Sequence, residues 1–298
     1  MQALSKNETW DLVPSSPHQK EIGWWWILFK VEHNDDNNVI WYKAQLVAKG
    51  YAQTHGIDYK ETFSPVAKVT TIQTVIALAA TKEWHLHQMD VKSSFLQGES
   101  DEEVYMVQPP GFKSRKHPQS VSRFKEPMYN LKQASRAWYS KITQYLHQIG
   151  FKMSKFDNSL YIQSDTGGQV FILIYVDDLI IGGEHLADID HIKKLLSNRF
   201  ELKDMQELHY FLGINVIRTP NGIMISQWHY ILNLLFKFGM TECKPAATPL
   251  NRNQYLDANS SNDECDPSHY RQVVRSLIYL TITRADLSYP VGLLSQFM

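Results

Sequence analysis

Three aspartates have the type and setting for metal-assisted chemistry. Asp90 closes an alternating run, His85 to Val91, and Asp177-Asp178 interrupts an apolar stretch between Ile174-Tyr175-Val176 and Leu179-Ile180-Ile181. Carboxylates flanked in this way are costly to bury unless they are paired or bind a metal. Turns also favour aspartate, so a plain acidic turn is the competing explanation for the pair. The functional reading is magnesium, which takes a few carboxylates together with waters and substrate phosphates. Two such ions about 3.5–4 Å apart would activate a primer 3′-hydroxyl and stabilise a leaving pyrophosphate. On that reading Asp90 and Asp177 bridge both ions, and Asp178 is peripheral, orienting the shell. His85 and His87 share a strand face, but no third ligand accompanies them, so they are read as ordinary strand residues.

The surrounding sequence indicates which elements must position these residues. Trp24 to Lys30 and Val39 to Ala48 flank a polar tip, His33 to Asn38, and so form a hairpin. Thr71 to Lys82 repeats Ile72, Val75, Ile76 and Ala79 on one helical face. Ala134 to Ile149 does the same with Ala137, Trp138, Ile142, Tyr145 and Leu146. Ser159 to Gln163 and Val170 to Val176 pair across Asp165-Thr166-Gly167-Gly168. Asp177-Asp178 then forms the tip of another hairpin, followed by a helix over Leu186 to Phe200. His209 to Arg218 and Gly222 to Ser226 flank Pro220-Asn221-Gly222, a hairpin signal, and Tyr230 to Phe238 is a helix that stops at Gly239. The polar first 20 residues, with Pro14 and Pro17, read as a loosely packed arm. Asn251 to Pro267 reads as a linker or long loop, with further helix to Met298. The order of elements predicts an α+β chain with a mostly antiparallel central sheet.

Bulk properties narrow the class. At 298 residues the chain exceeds one small domain, and 43% hydrophobic with 20% charged residues describes an ordinary globular protein. No apolar run approaches the roughly 18 residues of a bilayer span. The N-terminus lacks the basic-then-apolar pattern of a signal peptide, so no membrane partner is expected. Cys243 and Cys265 are too few for a disulfide framework and have no metal-ligand spacing, which reads as a reducing, intracellular setting. A net charge of −1 announces no polyanion. From Lys113 to Lys155, however, ten Lys and Arg stand against Glu126 alone, which suits either a phosphate backbone or a solvated basic face.

The residues also carry a resemblance. Tyr175-Val176-Asp177-Asp178 resembles the YVDD box of retroelement reverse transcriptases, and Gln88-Met89-Asp90-Val91-Lys92-Ser93-Ser94-Phe95-Leu96 resembles their first palm motif in its copia-type form. Tyr42 to Gly50, Thr62-Phe63-Ser64-Pro65-Val66, Gln108-Pro109-Pro110-Gly111-Phe112, Leu131-Lys132-Gln133-Ala134 and Phe211-Leu212-Gly213-Ile214 follow the same order. The ordered set covers essentially the whole chain and is similar to the reverse transcriptase domain of copia-type LTR-retrotransposon Pol. The resemblance implies a right-hand polymerase architecture with an antiparallel palm sheet, a fingers hairpin and a helical thumb. The expected segments are an arm at 1–20, fingers at 21–85, and palm at 86–110. A basic fingers/palm stretch at 111–150 and palm with the YVDD and primer-grip hairpins at 151–227 follow. A thumb helix at 228–250, a linker at 251–269 and thumb or connection helices at 270–298 complete it. Protease and integrase would lie upstream and ribonuclease H beyond Met298, so no RNA-strand degradation is expected of this chain.

The resemblance further implies roles. Two Mg²⁺ ions, or Mn²⁺ in their place, would be held by Asp90, the Val91 backbone, Asp177 and Asp178. Phe95 would exclude a 2′-hydroxyl, Gln133 would contact the incoming nucleotide and template, and Lys43 and Lys49 would lie near the triphosphate. Lys132 and Arg136 would add phosphate contacts, and Phe211, Leu212, Gly213 and Ile214 would form the primer grip. Partners would be an RNA template, a DNA primer or RNA–DNA hybrid, and dNTPs. The setting would be intracellular, in a cytoplasmic virus-like particle, in the nucleus, or both; oligomeric state is left open. The chain departs from the family pattern at Gln45 (usually Arg), at Trp24-Trp25-Trp26, at Ser94, and at Asn130, Ser135, Gln206 and Arg275, of which Asn130, Gln206 and Arg275 stand where Gly is usual. Arg275, between apolar positions, is expected to strain its helix. These departures keep a second reading open, a catalytically degenerate remnant that acts at most as a nucleic-acid-binding module.

Overall fold

The computed structural model describes residues 10–16, 20–33, 39–92, 98, 102–109, 111, 113–124, 128, 130–165, 168–250 and 266–298, with the backbone alone over 25–46 and at 165. In chain order the strands and helices are β1 (Trp10–Pro14), β2 (Glu21–Ile22), β3 (Trp24–His33), β4 (Val39–Ala48), α1 (Val69–Lys82), β5 (His85–Val91), β6 (Val104–Met106), β7 (Ser120–Phe124) and α2 (Ala134–Gln148). There follow β8 (Lys152–Met153), β9 (Leu160–Asp165), β10 (Gly168–Tyr175), β11 (Asp178–Gly183), α3 (Leu186–Arg199), β12 (Leu202–Glu207), β13 (Tyr210–Phe211), β14 (Ile214–Thr219) and β15 (Gly222–Ser226). The chain ends with α4 (Trp228–Lys237), α5 (Pro267–Leu280) and α6 (Ser288–Ser295). Among the described residues no helix is long and apolar enough to cross a membrane.

Contacts divide the chain into two units, one of Met1–Ile72 with Trp84–Gln206 and one of Gln73–Glu83 with Glu207–Met298. The first holds a six-stranded sheet in the order β12-β5-β11-β10-β9-β8, a four-stranded sheet in the order β1-β7-β6-β2, and the β3–β4 hairpin. Its registered pairings are antiparallel except β2 with β6. The chain is therefore α+β as expected. The central strands β10 and β11 are almost wholly apolar because both of their faces are buried. On one face Met89, Val91, Ile172, Ile174, Leu179 and Ile181 pack against Trp138, Ile142 and Leu146 of α2 and Ile189, Ile192 and Leu196 of α3. The Trp138-Ile142-Leu146 stripe read from sequence is thus one of those that cover the sheet.

Several expectations are corrected. The N-terminal arm is partly sheet: Trp10 pairs with Phe124 in the β1–β7 ladder, and their rings lie 5.4 Å apart. Burial of Trp10 against that core outweighs the prolines. The first hairpin strand runs on to His33 rather than ending at Lys30, and residues 34–38 lie outside the described set. The run His209 to Arg218 is two strands, because Leu212 (φ 49°) and Gly213 (φ 73°) turn the chain into a β13-β14-β15 meander. Positive φ at both central residues is the type I′ pattern, which matches strand twist. Pro267 opens α5 instead of closing a loop, with Asp266 accepting a hydrogen bond from the Ser268 N–H at 2.9 Å; proline's missing N–H costs nothing there. Residues 251–265 of the expected linker lie outside the described set. Arg275 is exposed on α5, so its charge stays in water and does not strain the helix. Asn130 (φ 70°) and Gln206 (φ 66°) do occupy the left-handed backbone that a glycine would favour.

Candidate active site

The β10–β11 hairpin pairs Tyr175 with Asp178 and leaves Val176 and Asp177 as its two turn residues. Strand β5 lies on the other side of β11, and its register sets Asp90 opposite Asp178. The Val91 N–H donates to the Asp177 carbonyl at 2.8 Å, which ties the turn to the end of β5. Residues far apart in sequence therefore meet at one sheet end, because a hairpin and a third strand share it. Period-two alternation then puts Gln88 on the same face as Asp90. The Gln88 side chain donates to Asp178 Oδ1 at 2.9 Å.

The electrostatics of this corner are unfavourable for anions. Burial pushes the Asp178 carboxyl above its ordinary range, the Gln88 hydrogen bond pulls it back, and the Asp90 charge pushes it up again. Opposed carboxylates with this character fit a hard divalent cation, whose charge reverses both penalties. Among the described residues no group of three His, Cys, Asp or Glu is placed to hold a metal ion, so Asp90, Asp177 and Asp178 do not form a three-carboxylate cluster here. The register pairs Asp90 with Asp178, the carboxylate expected to be peripheral, while Asp177 sits in the turn.

Other candidate residues fall in varied settings. Gln133 is only 4% exposed; it donates to the Asp58 carbonyl at 3.1 Å and accepts from Gln53 Nε2 at 2.9 Å. Its amide is hydrogen-bonded to protein at both its nitrogen and its oxygen. Lys132 Nζ bonds Tyr59 Oη at 3.2 Å and lies 4.9 Å from that ring's centroid. Arg136 pairs with Glu61. Lys49 donates its backbone N–H to the Gly23 carbonyl at 2.9 Å. Lys43 is paired by backbone with Lys30, its side chain lies outside the described set, and so does Phe95. In the second unit Phe211 and Ile214 are buried and flank the Leu212-Gly213 turn, whose Leu212 carbonyl accepts from Tyr279 Oη. His87 Nδ1 lies 3.1 Å from Lys193 Nζ, which pairs with Asp204 at 2.6 Å, a structural cluster between β5 and α3.

Two residues at the site went unnoticed in the sequence. Gln88 could have been found, since it lies two positions before Asp90 on the same strand face. Trp138, read as a core residue, also donates its indole N–H to the Val176 carbonyl at 3.0 Å; no spacing signals that.

Comparison with known proteins agrees with the motif order. A family model described as reverse transcriptase (RNA-dependent DNA polymerase) matches residues 7–252. The retrovirus-related Pol polyprotein from transposon RE1 of Arabidopsis thaliana is 46% identical over 293 residues, 98% of this chain and 20% of that protein. Its counterpart from transposon TNT 1-94 of Nicotiana tabacum is 34% identical over 308 residues, 100% of this chain and 23% of that protein. The chain thus spans about a fifth of the length of these relatives. A solved foamy viral protease-reverse transcriptase in complex with double-stranded DNA aligns with 93% of this chain and 38% of its own at TM-score 0.42 and 9% identity, too remote to carry an argument. With residues 7–252 matched and identity extending over nearly the whole chain, this protein belongs to the reverse transcriptase (RNA-dependent DNA polymerase) family.

Proposed function

We propose that this chain is the polymerase core of a copia-type retrotransposon reverse transcriptase, adding dNTPs to a primer 3′-hydroxyl on an RNA template. The six-stranded sheet serves as palm, the β3–β4 hairpin as fingers, and α4 with α5 as thumb. Asp90, Asp177, Asp178 and the Val91 backbone hold two Mg²⁺ ions. When bound, those ions supply Lewis acidity at the attacking hydroxyl and neutralise charge on the phosphates. Gln88 fixes the Asp178 carboxylate by its hydrogen bond, and the Val91 N–H fixes the Asp177 carbonyl. Lys132 and Arg136 meet phosphates, and Phe211 to Ile214 meet the primer. Gln133 contacts the incoming nucleotide and template, from a position braced by its hydrogen bonds to Gln53 and the Asp58 carbonyl.

The observation that most supports this reading is the Asp90–Asp178 rung, a pair of opposed carboxyls whose mutual repulsion a bound cation would relieve. Primer extension on an RNA template with dNTPs and Mg²⁺ or Mn²⁺ tests it. Extension is expected from the wild type and none from Asp177→Asn. A folded wild type that binds RNA–DNA hybrid yet extends nothing would replace the polymerase with a binding-only remnant.

A further inference from the structure

Val176 holds an unusual backbone. It is the first central residue of the Tyr175–Asp178 turn and has φ 52°, whereas Asp177 is not in the left-handed region. Positive φ at the first position alone is the pattern that two-residue hairpins normally fill with glycine. A β-branched side chain is among the least suited to it, so the surroundings must impose it.

Packing does not impose it. The Val176 side chain is 37% exposed and borders a cavity of about 190 Å³ shared with Pro65, Val66, Ser135 and Trp138. Hydrogen bonds do. The Val91 N–H holds the Asp177 carbonyl at 2.8 Å, and the Trp138 indole N–H holds the Val176 carbonyl at 3.0 Å. Trp138 is 1% exposed, with its ring set edge-on to Phe200 at 5.2 Å and 84°. A donor so buried needs an acceptor within the protein, and its ring cannot turn away.

We infer that Trp138 is a positioning residue for the metal-binding turn: by holding the Val176 carbonyl it fixes the Val176–Asp177 peptide and so sets Asp177 and Asp178 relative to Asp90. The inference rests on the polymerase reading and adds to it a residue outside the acidic motifs. It also accounts for valine where the turn pattern favours glycine: α2 holds, from outside the hairpin, a peptide orientation that glycine would adopt more readily.

The test is a double-mutant cycle between Trp138→Phe and Val176→Gly, read by primer extension and by Mn²⁺ affinity. Trp138→Phe keeps an aromatic ring and deletes the donor. It should lower kcat about fivefold to tenfold, the equivalent of one hydrogen bond, and weaken Mn²⁺ binding by a similar factor. Glycine adopts positive φ unaided, so in a Val176→Gly background the same replacement should cost less than about twofold. If Trp138→Phe fails to fold, benzothienylalanine at position 138 keeps the ring's volume while replacing the N–H by sulfur, and the same pattern is expected. Equal losses in the valine and glycine backgrounds, or no loss in either, overturn the inference. A wild type that binds Mn²⁺ with this coupling but never extends a primer would sink the polymerase reading and leave the positioning role standing.

Discussion

Replacing Asp178 by asparagine should stabilise the metal-free protein while weakening its response to magnesium. Opposed side chains on neighbouring antiparallel strands have Cβ atoms about 5 Å apart. At an effective dielectric of about 20, two unit charges at that distance repel by about 3 kcal/mol. Asp178 is half-buried, so water screens much of this, and about 1 kcal/mol should survive. Burial, and then the Asp90 charge, hold the Asp178 carboxyl above its ordinary value against the pull of Gln88. A carboxyl whose folded value is raised binds its proton more tightly when folded. The stability it contributes is complete at low pH and is lost as pH rises through the folded value. The Asp178→Asn side chain resembles the protonated carboxyl and does not titrate. Its melting temperature in EDTA should exceed that of the parent by about 2–4 °C at neutral pH. The gap should close on acidification below the ordinary carboxylate range. Added Mg²⁺ should raise the parent's melting temperature more than the variant's, as linkage requires when the variant keeps Asp90 and Asp177 but loses the peripheral carboxylate. Melts by circular dichroism across that pH range decide it. A gap that persists in acid, or a variant less stable than the parent at neutral pH, would refute the reasoning.

Two further outcomes test the frame around the site. At Gly182 an added Cβ would stand 2.3 Å from Phe171 Cζ and 2.8 Å from Leu86 Cδ2, with Phe171 itself buried, so Gly182→Ala should cost about 1–3 kcal/mol in denaturant unfolding; an unchanged midpoint would mean Phe171 has room to move. Gln206 has φ 66° and an exposed side chain, so Gln206→Gly should gain about 0.5 kcal/mol, the relief of left-handed strain less glycine's greater loss of entropy; a fall in melting temperature would contradict the strain.

What could be read from residues alone was whatever local periodicity and burial cost decide. The stripes Ala137-Trp138-Ile142 and Ile189-Ile192-Leu196 announced the two helices that cover the sheet. The alternation ending at Asp90 announced β5. Two carboxylates flanked by apolar runs announced the β10–β11 hairpin and its acidic tip. The family resemblance named further positions, and the structure gives some of them different surroundings: the Gln133 amide faces Gln53 and Asp58. Arg275 looked strained between apolar neighbours, yet a helix turns it outward.

Strand order was beyond local reading, because no residue states which strand it will lie beside. That β5 pairs with β11, in the register that opposes Asp90 to Asp178, is a contact between remote segments, set in a core that α2 and α3 share with the sheet. The same holds for Val176, whose left-handed backbone its own sequence disfavours and a tryptophan 38 residues earlier helps to hold. The types of the candidate groups were set by the chain, whose composition at each point limits which charges can be buried. Their mutual geometry was decided only by tertiary structure, since distances between remote residues depend on every layer packed between them.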